Sequence, residues 1–322
     1  MLAAFPPLYP LQFHLEALEP FRLPEYKGAL FRGGFGFFFR DLVCVTRAPT
    51  CTGCPHLHEC TYSTVFESPV EPAKAEVLRK YPNAPHPFVM VPPADSRTLL
   101  APRARLVLDV VLIGPGLRSL PHFLVVFDEM GRSGRFGGKF HLRRVNSALP
   151  GNELIFDGLT RRVGAVVPAW RPVPEAQPVH RAQLQFITPL RMRTGGVYNR
   201  SPNFVDIAHA LLRRIHLLAA IYGGGGPSTD WMKPLLAAAD AVSTEHSGFN
   251  LYPWQRNSGR QKRRISMDGV TGTLTAAGDL TALMPWLRAG EWINVGSATS
   301  LGLGKYRLTG IEPAPLAAPS VG

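Results

Sequence analysis

Residues 11–17 read LQFHLEA, with Leu11, Phe13, Leu15 and Ala17 alternating with Gln12, His14 and Glu16. A period of two sends successive side chains to opposite faces, so the segment predicts a strand with one buried face. From Gly28 to Leu42 the period lengthens: Leu30, Phe31, Phe35, Phe38, Phe39 and Leu42 recur at helical spacing, with Arg32 and Arg40 on another face. Gly33, Gly34 and Gly36 weaken such a helix intrinsically, and their presence predicts a neighbour packed against its backbone. The apolar, β-branched run RARLVLDVVLIG reads as a central strand, LRSLPHFLVVFDEM as a helix, and FHLRRVNSAL and NELIFDG as closing strands. The first half thus runs strand, helix, strand, strand, helix, strand.

The prolines of WRPVPEAQPVH remove backbone donors and fix dihedrals, which marks a linker. Beyond it the same order returns. QLQFITPLRM is a strand, and Phe204, Ile207, Leu211, Ile215, Leu218 and Tyr222 form one face of a helix, whose His209, Arg213 and His216 read as a solvated or partner-facing surface. FNLYPW and VTGTLTA carry strand signals, and LTALMPWLRAG is a short helix ahead of the glycine-rich loop VGSATSLGLGKYRL. The expected class is α+β: two tandem ferredoxin-like (βαββαβ, RRM-like) domains, residues 1–170 and 171–312, with a disordered tail at 313–322.

Charge then narrows the partner. The 322 residues carry a net charge of +12, and 28 of the 35 basic residues are arginine, whose flat fork suits phosphate and stacks on bases. An anionic partner is expected. The N-terminus MLAAFPPLYP has no basic leader, and no apolar run approaches the ~20 residues of a membrane span, so a cytoplasmic protein is expected, with no membrane partner. All four cysteines fall between positions 44 and 60, which points to metal rather than to a disulfide framework. Cys51-Thr-Gly-Cys54 forms a knuckle, and Cys44, Cys51, Cys54 and Cys60 together would close a structural zinc site in an insertion of the first domain; an iron–sulfur cluster is the alternative.

The loop glycines Gly296, Gly302 and Gly304 fit neither nucleotide template: Thr299 and Tyr306 occupy positions a P-loop reserves for other residues, and Arg307 stands where a dinucleotide turn needs glycine. Bare backbone can approach a phosphate or ribose closely, with Ser297, Thr299, Ser300 and Lys305 beside it; the competing explanation is a tight bend beside a sheet. Upstream, WQRNSGRQKRR supplies Arg256, Arg260, Gln261, Lys262, Arg263 and Arg264 for phosphates and Trp254 for base stacking.

The stretches LQFITPLR, RNSGRQKRR, DGVTGTL and LMPWLRAGEWINVGSATSLGLGKYRL resemble the C-terminal half of the CRISPR-associated endoribonucleases of the RAMP superfamily, which process precursor guide RNA. KGALFRGGFG, CTYSTVFE and MGRSGRFGGKF extend the resemblance over most of residues 10–310. It implies metal-independent cleavage of CRISPR repeat RNA by the ribose 2′-OH, leaving a 2′,3′-cyclic phosphate and a 5′-OH. It also implies an RNA-binding surface that includes Arg32, Arg135, Lys139 and the final glycine loop. Tyr26 and Lys27 stand where members place catalytic residues. No histidine occurs between 28 and 55, which leaves His56 or His58, with His58 preferred, or a histidine-free arrangement of Lys27 and Arg32. A non-catalytic RAMP subunit gripping one end of a guide RNA beside other CRISPR effector subunits is the second reading, and a zinc-stapled adaptor for a protein partner the third.

Overall fold

The computed structural model describes the chain apart from residues 1, 72–73, 79–82, 94–95, 165, 259–262 and 314–322. Its first half contains β1 (Leu8–Ala17), β2 (Phe21–Arg22), α1 (Gly28–Val43), β3 (Phe88–Val91), β4 (Leu99–Leu100), β5 (Arg105–Ile113), α2 (Leu120–Ser133), β6 (Phe140–Ser147), β7 (Leu154–Asp157) and β8 (Arg162–Val163). The second contains β9 (Val179–Leu190), β10 (Arg193–Thr194), β11 (Val197–Tyr198), α3 (Phe204–Tyr222), α4 (Lys233–Asp240), β12 (Ser243–Tyr252), β13 (Gln255–Ser258), β14 (Arg263–Ser266), β15 (Gly269–Ala277), α5 (Met284–Ile293) and β16 (Tyr306–Pro313).

Two antiparallel sheets organise these elements. The first has the order β3-β5-β1-β6-β7-β8 and the second β12-β15-β9-β16. In each half the first and third principal strands are followed by a helix, and the first strand lies between the third and the fourth.

The alternation in β1 is realised: Leu11, Phe13, Leu15 and Ala17 are buried between half-buried polar neighbours. They face α1 and α2, whose aromatic residues interlock, with Phe35 centred 4.3 Å from Phe123. Two of the α1 glycines have the neighbours expected of them, since a Cβ at Gly34 would strike Met130 and one at Gly36 would strike the Phe66 ring. Gly33 has open space.

Strand β3 is buried at every position. Phe88 and Met90 enter the first core, while Val89 and Val91 join Val111, Ile113, Phe5 and Leu8 in the core of the second half. A strand covered on both faces reads as a continuous apolar run without alternation. The two halves therefore share an apolar contact. Trp170, just ahead of the proline-rich linker, pairs with Leu8 on the edge of β1.

Helix α4 was not anticipated. It supplies Asp240, 2.8 Å from His209, while His216 is buried beside Trp231. For His216 the expected solvated surface is corrected by burial; Arg213 is exposed and His209 only half-buried. Pro313 closes β16, and the rest of the tail lies outside the described residues. No helix among the described residues is long and apolar enough to cross a membrane.

Candidate active site

Antiparallel topology sends the end of β1, the start of α1, the end of β3 and the α2–β6 turn to one end of the first half. It likewise gathers the ends of β9 and β12 and the α5–β16 loop at one end of the second. These ends meet around a cleft of about 230 Å³ lined by Glu25, Tyr26, Lys27, Pro92, Thr188 and Tyr252, among others.

Lys27 caps the start of α1 and is 1% exposed, with Nζ donating to the Glu25 carbonyl at 3.3 Å. Burying an ammonium costs several kcal/mol, roughly, unless hydrogen bonds replace its water. Glu25 also accepts from the Tyr252 hydroxyl at 3.5 Å. Burial, then the adjacent Glu25 carboxylate, raises the Tyr252 pKa.

Tyr26 lines the same cleft, but its hydroxyl donates to the Leu301 carbonyl at 2.8 Å and its ring lies 4.4 Å from that of Trp254. Burial holds its pKa well above the usual tyrosine range. Its expected catalytic role is corrected to that of a prop, because its one proton is committed to backbone. His58 is not brought to the cleft. It lines a separate cavity of about 540 Å³ with Thr61, Thr64 and Tyr222.

The glycine loop closes on protein. Gly302 (φ +84°) sits against the Met90 carbonyl and Pro92, and Gly304 (φ +73°) against the Val295 carbonyl. Gly296 and Ser297 seat on the Arg191 carbonyl, to which the Ser297 amide donates at 2.7 Å. Thr188 Oγ1 donates to the Gly302 carbonyl at 2.6 Å and accepts from the Lys305 amide at 2.9 Å. Lys305 Nζ donates to the Glu291 carbonyl and lies 5.1 Å from the centre of the Trp292 ring. For Gly302, Gly304 and Lys305 the expected exposure to an RNA strand is therefore corrected: bare backbone here admits other backbone.

Arg32 is also engaged. Its Nε donates to Ser300 Oγ at 3.0 Å, its terminal nitrogen to His86 Nε2 at 3.0 Å, and its guanidinium lies 4.3 Å from the centre of the Phe66 ring. Since arginine only donates, His86 accepts at Nε2 and carries its proton on Nδ1, which faces Ser68 Oγ at 3.0 Å. Ser68 Oγ in turn donates to the Val65 carbonyl at 3.2 Å. Burial, then the Arg32 charge, lowers the His86 pKa to about 3, and burial with Arg256 lowers that of Arg32 to about 10. Arg32 thus braces α1 against the glycine loop, which corrects its expected part as an RNA contact. The signal missed in the sequence was His86, isolated in a proline-rich stretch.

The basic segment forms the β13–β14 hairpin, in which Arg256 pairs with Ile265 and Asn257 with Arg264. Trp254, Ile265 and Met267 pack with Tyr26 and Leu301. Tyr26 packs against one side of the half-buried Trp254 ring, which leaves at most one face of it for a base. Arg264 is exposed, Arg256 is half-buried, and Arg263 belongs to β14 by its backbone pairing with Ser258. Arg260, Gln261 and Lys262 lie outside the described residues. Arg135 and Lys139 are exposed on the α2–β6 turn, where the Lys139 amide donates to Glu19 at 3.0 Å. Beside β14, Arg191 and Arg193 lie 3.8 and 4.4 Å from the centre of the Tyr198 ring and form an arginine-rich patch.

The four cysteines are free thiols, and all line one small cavity of about 20 Å³ with Arg40 and His56. Thr46 Oγ1 lies 3.8 Å from both Cys44 Sγ and Cys54 Sγ. Among the described residues no three or more histidine, cysteine or acidic side chains are drawn together closely enough to hold a metal as they stand.

Residues 5–166 match the family model AF_1859_N, described as an N-terminal domain, and residues 184–306 match that of the CRISPR-associated endoribonuclease Cas6. An uncharacterized protein of Archaeoglobus fulgidus is 24% identical over 294 residues, which is 89% of this chain and 93% of that one. Among solved structures, a partial Cas6-RT-Cas1–Cas2 complex matches with a TM-score of 0.59 at 13% identity, over 98% of this chain and 49% of that one, so this chain spans about half its length. A Cas6 (TTHB231) product complex matches with a TM-score of 0.56 at 20% identity, over 94% of this chain and 100% of that one. Thermus thermophilus Cas6 (TTHB231) matches with a TM-score of 0.52 at 16% identity, over 94% of this chain and 99% of that one. At these identities the likeness is one of fold.

Proposed function

The chain belongs to the Cas6-type CRISPR RNA-processing proteins, and we propose that it is an endoribonuclease that cuts CRISPR repeat RNA in precursor transcripts to give guide RNAs. In this reading the two halves are tandem ferredoxin-like domains, and the RNA crosses the end where they meet. The observation that carries it is Lys27, an almost fully buried ammonium on the wall of a cleft at that end.

The reaction needs no metal. The ribose 2′-oxygen attacks the adjacent phosphorus, its proton leaves to a base, and the bond to the 5′-oxygen breaks as that oxygen gains a proton. The products are a 2′,3′-cyclic phosphate and a 5′-OH. Lys27 supplies positive charge to the phosphorane oxygens, the kind of contribution worth roughly 10²–10³ in rate. Tyr252, held by Glu25, is the hydroxyl beside it that can meet the ribose. Arg264, Arg135 and Lys139 are exposed at the same end and neutralise the flanking phosphates. The guide RNA and other CRISPR effector subunits are the expected partners.

A second reading keeps the RNA and drops the cut: a RAMP subunit gripping one end of the guide. It is favoured by the absence of histidine among the described residues of the cleft lining. Incubating the protein with its own repeat RNA in EDTA and analysing fragment ends separates the two. Cyclic-phosphate ends, with Lys27→Ala slowing cleavage by about 100-fold at nearly unchanged affinity, support the enzyme. Tight binding to RNA that stays intact selects the second reading.

A further inference from the structure

The segment from Cys44 to Cys60 has turn hydrogen bonds but no apolar core of its own. None of its residues is buried, and of its six half-buried residues four are Cys44, Cys51, Cys54 and Cys60. Val45, its one valine, is 80% exposed. A loop this long without a core of its own pays its ordering entropy with little apolar burial in return. Its interior is instead lined with sulfur.

The backbone is shaped to present that sulfur inward. The Cys54 amide donates to the Cys51 carbonyl at 3.1 Å, and Gly53 between them sits at φ +76° with no atom within 4 Å of a Cβ position. The glycine therefore answers to the turn itself and not to a neighbour. All four thiols are unpaired, and with Arg40 they face the same small cavity.

We propose that Cys44, Cys51, Cys54 and Cys60 bind one zinc ion as a closed, structural site. The thiols stand short of a common point and are drawn in by side-chain rotation on binding. Four thiolates fill a tetrahedral zinc and leave no open position, so the ion takes no part in cutting RNA. Binding releases four protons and leaves a site of charge −2. Arg40, which lines the cavity and donates to the Pro49 carbonyl at 3.0 Å, is placed to offset that charge.

The consequence reaches the junction of the two halves. Cys44 directly follows α1, and Cys60 leads into the helical turn Ser63–Glu67. That turn sets Phe66 against Gly36 and under the Arg32 guanidinium, and it ends at Ser68, which faces His86. A metal joining both ends of the loop fixes this turn relative to α1, and with it the brace that Arg32 makes to Ser300.

The test uses the full chain purified without added metal or chelator. Elemental analysis is expected to give one zinc per chain. Titration with a mercurial thiol reagent in the presence of a zinc indicator is expected to release that zinc as four equivalents are consumed. Before release, trypsin cleavage after the exposed Arg47 is expected to be at least tenfold slower than after it. Cys54→Ser is expected to lower zinc content below a quarter of wild type, and the wild-type titration stands if that variant fails to fold. Four freely reactive thiols without stoichiometric metal would overturn the proposal, as would iron with acid-labile sulfide and visible absorbance, which assigns a cluster in place of zinc.

Discussion

Replacing Gly302 with alanine tests the claim that the glycine loop is a joint between the two halves. At φ +84° an L-residue costs about 1–2 kcal/mol. The added Cβ would also lie 2.5 Å from both the Met90 carbonyl oxygen and Pro92 Cδ, and neither is the far end of a pliable side chain. Forcing such a contact in a packed interior adds about 1–3 kcal/mol. The total is about 2–5 kcal/mol, and since each kcal/mol moves the Tm of a chain somewhat smaller than this one by about 2–4 °C, a drop of roughly 5–15 °C is expected. The control is Gly33→Ala on α1, where a Cβ meets nothing, and removing a helical glycine should stabilise by about 0.5–1 kcal/mol. Thermal melts followed by fluorescence or calorimetry, with RNA binding measured well below each Tm, read both effects. A Gly302→Ala protein that melts within a degree of wild type but binds repeat RNA tenfold more weakly would refute the reasoning, because the loop would then face RNA and not protein.

Other consequences are as direct. His86 has a folded pKa of about 3 against an unfolded 6.5, so its contribution to stability is complete above pH 6.5 and is lost as pH falls from there toward 3. At about 1.4 kcal/mol per unit, lowering the pH from 7 to 5 should cost about 2 kcal/mol, and His86→Gln should remove that share of the slope in denaturant titrations. Trp254→Phe should leave RNA affinity within about twofold, because the ring packs on Tyr26; a loss near the 1–3 kcal/mol of a stacked base would show that it meets RNA. Arg264→Ala should weaken binding and reduce the log–log salt slope by about 0.7 if the contact is to a single-stranded phosphate. Lys27→Arg should recover part of the rate lost in Lys27→Ala, since it restores charge but not shape, as single-turnover cleavage would show.

Periodicity made most elements legible. The alternation in β1 and the helical stripe of Phe204–Tyr222 report one-sided burial, which a single sequence displays directly. The repeated order of elements was visible for the same reason, as was the packing of neighbours on Gly34 and Gly36. Helix α4 was not, because its short KPLLAAAD run offers too few turns for a period to emerge. The site was harder to read than the fold. The placement of Tyr26 and Lys27 together was legible from their adjacency, but the commitment of the Tyr26 hydroxyl depends on a carbonyl 275 residues away. The same distance in sequence hid the fate of the loop glycines. Glycine announces that something comes close; it does not say whether that thing is RNA or the other half of the chain.

Several cations are held by neutral groups of the protein, one of them, Lys27, almost fully buried. Lys27 donates to the Glu25 carbonyl, Arg32 to Ser300 and His86, Arg214 to the Ile293 carbonyl and Lys305 to the Glu291 carbonyl. These acceptors are neutral, while the Asp109 and Glu291 carboxylates also act on Lys305 and Glu67 on Arg32. Burial lowers the pKa of Arg32 and Arg214 to about 10, which still leaves both protonated at pH 7. Fixed positive charge on a low-dielectric wall, as at Lys27, is screened less by solvent than the same charge on a mobile, hydrated side chain. The exposed Arg135, Lys139 and Arg264 add a screened, salt-sensitive attraction around it. In the proposed reading the two kinds of charge divide the work: the exposed arginines and lysine draw a polyanion to this end of the molecule, and Lys27 holds fixed charge on the cleft wall.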